Sequence, residues 1–193
     1  MGKIVVTEFI SLDGVIEDPG GAEDYGRGGW AFDFDRGTEG DKFKMDELLE
    51  AEAQLLGRVT YEGFAAAWPR MEDEQGFAER MNSMPKYVAS RTLNEAEWNA
   101  TIIEGEVAAE VAKLKEGSGG DLLIYGSGDL VDELTRGGLI DEYRLMVHPV
   151  VVGSGKRLFN EVTTTTLGLV ESTITDTGVC VLTYAPAAGE AAV

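Results

Sequence analysis

The sequence predicts an α/β fold in three layers, with a central mixed, mostly parallel sheet flanked by helices and a C-terminal antiparallel hairpin. Three observations carry that expectation. Short β-branched runs alternate with segments of helical periodicity over the first two-thirds of the chain. Apolar strands run straight into glycine turns and then into amphipathic stretches, as in "LLGRVTYEGF" and "LLIYGSGDLVDEL". The final third holds strand-like runs with no helix between the last two, which suits an antiparallel edge.

Taken in order, "KIVVTEF" (Lys3 to Phe9) is a compact β-branched run and predicts a strand. "SLDGVIEDPGGAEDYGRGGW" is rich in Gly and Asp and predicts a long loop, a feature that tends to be functional. "DKFKMDELLEAEA" places Phe43, Leu48 and Leu49 among charges and predicts a helix, followed by the short strand "AQLLGR". "VTYEGFAAAW" resumes helix up to Pro69. "GFAERMNSM" predicts another, and Pro85 precedes the strand "KYVAS". "EVAAEVAKLK" carries Val107, Val111 and Leu114 at i, i+4 and i+7, an amphipathic helix that "GSGG" terminates. "DLLIYG" is then a buried strand, and a helix from about Asp129 buries Leu130, Val131 and Leu134 before Gly137-Gly138 caps it. "DEYRLMVHPVVVG", "LGLVESTITD" and "GVCVLTYAP" close the chain as strands, the last two as a hairpin.

A chain of 193 residues fits one domain, predicted over 1–186, with 187–193 as a frayed tail. Its 44% hydrophobic and 26% charged residues describe a soluble globular protein, and no apolar run reaches the roughly 20 residues that span a bilayer. The N-terminus lacks the pattern of a signal peptide, so the expected compartment is the cytoplasm. The net charge of −19 argues against nucleic acid and anionic membranes as partners. It also requires any site for a phosphorylated ligand to gather the few cations in one place. One cysteine, Cys180, excludes an internal disulfide and is expected as a small buried hydrophobe. With His148 as the single histidine, no zinc-deaminase ligand set can be built, and no metal site is expected.

The chemistry is expected at the glycine turns. Gly126-Ser127-Gly128 stands between a strand and a helix, where unpaired amides and the helix dipole favour an anion. The third glycine of a dinucleotide fingerprint is replaced by Val131, and Asp129 would repel a phosphate, so a purely structural turn is the competing reading. Two companions strengthen the ligand reading. Gly57 is followed by Arg58 and Thr60, and the strand "KYVAS" is followed by Ser90 and Arg91. The second Gly-Ser-Gly, at 153–155, has no following helix and is expected to be only a turn. His148 is expected as a packed, hydrogen-bonded residue. The strand that contains it, with the hairpin, needs covering and suggests a homodimer.

"SLDGVI", "LLGRVTYE", "KYVASRTL", "YGSGDLVDEL" and "LMVHPVVVGSGKRLF" occur here in that order. In this respect the chain resembles the reductase domain of bacterial bifunctional riboflavin-biosynthesis deaminase-reductases, over roughly Ile4 to Tyr184. The resemblance implies a dihydrofolate reductase-like fold and NADPH as hydride donor. It implies that Gly57, Arg58 and Thr60 meet the cofactor phosphates, and that Ser90 and Arg91 lie near the adenosine ribose and its 2′-phosphate. Gly126, Ser127 and Gly128 would cradle the pyrophosphate, with Leu130 beside them. Asp13 and Gly14 would belong to a loop near the nicotinamide, and Trp30 to the substrate side.

Departures from the pattern bear on the substrate. The region "SMPKYVAS" has no arginine to grip a folate tail, which argues against dihydrofolate reduction. Asp35, Glu39 and Asp41 compete for the carboxylate that supports substrate protonation, and water is a further alternative. Asp13 and Asp35 are the candidate acids. The expected activity is hydride transfer from NADPH to a small pyrimidine- or pterin-like heterocycle, or to a conjugated imine or carbonyl, similar to 5-amino-6-(5-phosphoribosylamino)uracil reduction. A non-catalytic nucleotide- or ligand-binding domain of the same fold is the alternative.

Overall fold

The computed structural model describes residues 2–23, 25–160 and 164–187. The expected frayed tail therefore lies almost wholly outside the described residues. Eight strands form one sheet: β1 (Ile4–Ser11), β2 (Ala51–Gly57), β3 (Lys86–Ala89), β4 (Ala100–Ile103), β5 (Asp121–Tyr125), β6 (Glu142–His148), β7 (Leu167–Ile174) and β8 (Cys180–Pro186). Their order across the sheet is β4-β3-β2-β5-β1-β6-β8-β7. All pairs from β4 to β6 are parallel, and β8 is antiparallel to both β6 and β7. The three-layer α/β expectation and the C-terminal hairpin are both realised.

The layers follow from the direction of travel. Helices α1 (Gly37–Glu50), α2 (Arg58–Ala67) and α3 (Phe77–Ser83) lie on connections that move from β1 towards β3. They pack on one face, where Leu48, Tyr61 and Met81 meet Val5, Leu56 and Leu123. Helices α4 (Val107–Gly117) and α5 (Gly128–Arg136) lie on connections returning from β4 to β6. Right-handed crossovers put these on the opposite face, where Val111, Leu130 and Leu134 meet Ile4, Val6 and Ile124. The alternation of Val5 with Ile4 and Val6 is the two-residue period of a strand covered on both sides. β2 and β5 are therefore neighbours whose following helices leave to opposite faces, which opens a crevice at their carboxyl ends.

Three local expectations are corrected. Helix α1 begins at Gly37 and ends at Glu50, because Ala51 is already extended (ψ 142°) and enters the ladder with β5. Its inward stripe is Gly40, Lys44, Glu47 and Leu48, whereas Leu49 is 61% exposed. Strand β4 had no counterpart in the pattern: it is four residues at the sheet edge, of which Ile103 alone is buried, preceded by Trp98 and Asn99 with left-handed backbones. Strand β6 stops at His148, and Cys180 is only partly buried. Among the described residues, no helix is long and apolar enough to cross a membrane.

Candidate functional site

Two strand-to-helix corners meet in the crevice. The register Leu55 opposite Ile124 brings Gly57 level with Gly126. The Gly57 amide donates to Ser127 Oγ (2.9 Å), and the Ser127 amide donates to Thr60 Oγ1 (3.1 Å). Ser127 Oγ in turn donates to the Tyr125 carbonyl at 2.8 Å. Gly126 and Ser127 are both left-handed, with φ of 53° and 58°. A Cβ on Gly126 would also stand 2.9 Å from Thr60 Oγ1, so both conformation and space demand glycine there. Neither α2 nor α5 has a side-chain cap, which leaves first-turn amides open where the two positive helix ends converge.

A third corner lies alongside. Gly57 pairs with Ala89, so Ser90 and Arg91 emerge beside the β2 corner at the same sheet edge. Ser90 Oγ accepts the Thr92 and Leu93 amides and shapes that turn, while Arg91 is exposed. Arg58 pairs with Glu62 at 2.8 Å on the helix surface. The structure thus gathers Gly57, Arg58, Thr60, Ser90, Arg91, Gly126, Ser127 and Gly128 along the ends of β3, β2 and β5, a span of roughly 10 Å at ordinary strand spacing. Leu130 does not join them. Its side chain is buried in the core and only its amide, donating to the Ser127 carbonyl at 2.8 Å, faces the corner. Its burial is what the helical pattern predicts; the resemblance placed it beside the glycines, where its backbone alone stands.

Polar groups that the sequence reading missed lie beneath these corners. Glu8, 3% exposed in mid-strand, receives the Gly126 amide, and burial pushes its carboxyl well above the usual range. Its Oε1 has no hydrogen-bond partner, nor has the hydroxyl of Tyr125, whose pKa burial also raises. On the α1 face, Lys44 binds Glu47 (2.5 Å) and Thr7 Oγ1 (2.7 Å), and its Nζ lies 5.3 Å from the Tyr125 ring. The buried carboxylate of α1 is therefore Glu47. Glu39 is exposed, and Asp41 pairs with Arg36 on the rim. A signal was available: a glutamate inside "IVVTEFIS" and a Lys–Glu pair at i, i+3 on the stripe containing Leu48 are charges that burial obliges to be paired or neutral.

Next to this cluster, across β1 and β6, lies a cavity of about 230 Å³ lined by Phe9, Phe32, Phe34, Arg36, Asp41 and His148, with Ala31 and Asp35 completing it. Phe9, Trp30 and Phe34 meet the His148 ring edge-on at 5.5, 5.5 and 6.1 Å. His148 is packed as expected: its Nδ1 bonds the Met146 carbonyl, and burial lowers its pKa, favouring neutral imidazole. Trp30 supports the wall from behind, its Nε1 donating to the Glu17 carbonyl. Asp35 is exposed and accepts the Gly37 amide.

Asp13 and Gly14 hold the loop after β1. The Asp13 carboxylate accepts bonds from Ser11 Oγ and the Val152 and Gly153 amides, and its pKa is lowered to about 2, chiefly by the serine. Gly14 takes a left-handed turn (φ 82°) beside Arg157. The Gly153-Ser154-Gly155 segment is a turn, as its lack of a following helix predicts.

A larger cavity, about 320 Å³, lies at the opposite, amino end of the sheet and includes Glu52, Tyr87, Lys113 and Ser118. Of its two carboxylates, Glu52 accepts the Gly119 and Gly120 amides and the Ser118 hydroxyl on Oε2, and Glu110 pairs with Lys113. Open parallel sheets bind ligands at their carboxyl ends, and the smaller, aromatic cavity is the one at that end. Among the described residues, no group of three or more His, Cys, Asp or Glu side chains is arranged to hold a metal ion.

The family model described as RibD C-terminal domain matches residues 2–181. The protein YyaP of Bacillus subtilis strain 168 is 34% identical over 163 residues, covering 83% of this chain and 81% of its own. A solved structure from Shewanella sp. PV-4, named for riboflavin biosynthesis, superposes with a TM-score of 0.77 at 22% identity, covering 97% of this chain and 99% of that one. The Thermotoga maritima diaminohydroxyphosphoribosylaminopyrimidine deaminase/5-amino-6-(5-phosphoribosylamino)uracil reductase gives 0.64 at 15% identity, covering 96% of this chain but 57% of its own. The present chain therefore spans little more than half of that two-activity protein.

Proposed function

The chain belongs to the RibD C-terminal domain family, and from that premise we propose that it is an NADPH-dependent reductase of a small planar heterocycle or conjugated imine or carbonyl. The observation that carries the reading is the alignment of three corners and an aromatic cavity along one edge, on β3, β2, β5 and β1 in turn.

The residues present fit such a cofactor. Two uncapped helix starts converge at Gly57 and Ser127, and Gly126 can approach an anion with bare backbone. Glu8, directly beneath, would repel a pyrophosphate if ionised, but burial favours its neutral acid. The amides around Gly128 and Arg58 would bind the pyrophosphate. Ser90 and Arg91 would take the 2′-phosphate that distinguishes NADPH from NADH. When bound, the nicotinamide supplies the hydride. Phe9, Phe34 and His148 orient a flat ring and exclude water from it. Asp13, held ionised by its three donors, has no proton to give near neutrality and serves to tie the β1 loop to the 150s turn. Asp35 uses one oxygen on Gly37 and offers the other to a water that delivers the proton.

The test is calorimetric titration with NADPH and NADH. The reading expects NADPH to bind at roughly tens of micromolar or tighter and more tightly than NADH. It expects Arg91→Ala to remove about tenfold of that preference, the worth of one charged hydrogen bond, while leaving folding stability within about 0.5 kcal/mol. Absence of NADPH binding ends the proposal. A second reading, a ligand-binding domain without turnover, is favoured by the lack of a poised acid: Asp13 is ionised, His148 is engaged and Lys44 is paired. It predicts NADPH binding with no oxidation in the presence of pterins, pyrimidines or quinones.

A further inference from the structure

We infer that the aromatic cavity selects an uncharged or cationic planar ring and rejects a phosphate ester, so that the substrate of this chain lacks a phosphate group. The inference rests on the reductase reading above and names the substrate class of the same site. A phosphorylated substrate needs at least one cation free to meet it with a charge-assisted hydrogen bond. Among the described residues that line the cavity Arg36 is the one cation, and its charge is already matched: its Nε donates to Asp41 at 2.6 Å and its guanidinium lies 5.7 Å from the centre of the Phe9 ring. Asp35 adds a second carboxylate to the wall, while His148 is biased to its neutral form by burial.

With one guanidinium against two carboxylates, the lining carries a net charge of −1. Lys44 approaches Phe9 from below, 5.1 Å from its centre, but Glu47 neutralises it within hydrogen-bonding distance. Arg157, across the β1 loop, lies 3.8 Å from Asp13 and gives its Nε to the Asp13 carbonyl. The chain as a whole holds 35 acidic and 16 basic side chains, so the long-range field adds to the local repulsion. The lining is otherwise aromatic, with Phe9 and Phe34 facing the His148 ring, and it accommodates a flat apolar body. Arg58 and Arg91 are exposed at the other end of the edge, while Arg27, Lys156 and Arg157, exposed on the β1 loop and the 150s segment, are outside the cavity lining. The cavity lining thus carries net negative charge, whereas the corners carry two exposed arginines.

The experiment compares 1-naphthol with 1-naphthyl phosphate by calorimetry, both on the free protein and with NADPH at saturation so that the corners are filled. The wild type is expected to bind naphthol at least about tenfold more tightly than the ester, since juxtaposed like charges cost at least that much. Asp41→Asn, which releases Arg36, is expected to move the ratio of the two affinities about tenfold towards the ester. Asp35→Asn, at an exposed position, is expected to move it in the same direction. The proposal is overturned if the ester binds as tightly as naphthol, if neither binds, or if both variants leave the ratio unchanged. Failure of NADPH to bind in the same titrations sinks the reductase reading instead, and the naphthol comparison on the free protein still decides the cavity's selectivity.

Discussion

The two ends of the sheet are built from the same strands and treat polar groups in opposite ways. At the amino end, Lys3 pairs with Glu142, Arg144 reaches Glu142 (3.0 Å) and Asp121 (3.4 Å), and Lys115 holds Asp141 at 2.6 Å. Charge there is matched by charge. At the carboxyl end, a Glu8 oxygen and the Tyr125 hydroxyl are buried without partners, and Ser127 is held in a left-handed conformation. Leu12, Phe32 and Val151 around that rim are 63%, 66% and 68% exposed. Each of these features costs stability. Unmet polar groups and uncovered apolar ones gathered around one crevice are what a ligand site looks like before its ligand is added.

The sharpest way to break the comparison is to disturb the buried pair below the carboxyl end. Lys44→Met takes the cation from buried Glu47 and leaves it the Thr7 hydroxyl alone, and urea unfolding is expected to show a loss of about 3–5 kcal/mol. Adding Glu47→Leu is expected to recover most of it. At the amino end, Arg144→Ala removes the guanidinium that Glu142 and Asp121 share, leaving both to Lys3, and is expected to cost about 2 kcal/mol while NADPH affinity stays within about twofold. Should that variant weaken NADPH binding tenfold, the division between the two ends is wrong.

Gly126→Ala reverses the pattern. It forces a side chain to φ 53° and against Thr60, so NADPH affinity is expected to fall at least about tenfold for a stability loss of about 1–3 kcal/mol. Glu8→Gln has the smallest effect and a distinctive sign. Below the usual carboxyl value of 4.5 both folded and unfolded chains carry the proton; above it the unfolded chain ionises first, because the folded pKa is raised. Native stability therefore declines as pH rises through this window. The glutamine removes the decline, with a gain of about 1–2 kcal/mol at pH 8 and none at pH 4, read from parallel urea curves.

Much of this was legible in the residues. Glycine at 57 and at 126, each ending an apolar run, with a second at 128, marked the corners because such turns need bare backbone. The alternation of strand and helix then fixed which corners share an edge. What escaped has a common physical cause. Hydrophobic periodicity assumes that charges face water, so the Lys44–Glu47 face of α1 was turned outward and Leu49 inward. The same assumption hid Glu8 inside its strand and sent the search for a carboxylate to Asp35, Glu39 and Asp41. Strand β4 escaped for another reason: four residues without flanking glycine carry too little period to read.

The cross-bracing of Ser127 to Gly57 and Thr60 has one more consequence. A receptacle whose walls are already bolted together has little ordering left to do when an anion arrives, so little affinity is lost to rearrangement. Loosening that brace through Thr60 would leave each wall intact and yet turn a rigid receptor into one that must assemble at every encounter.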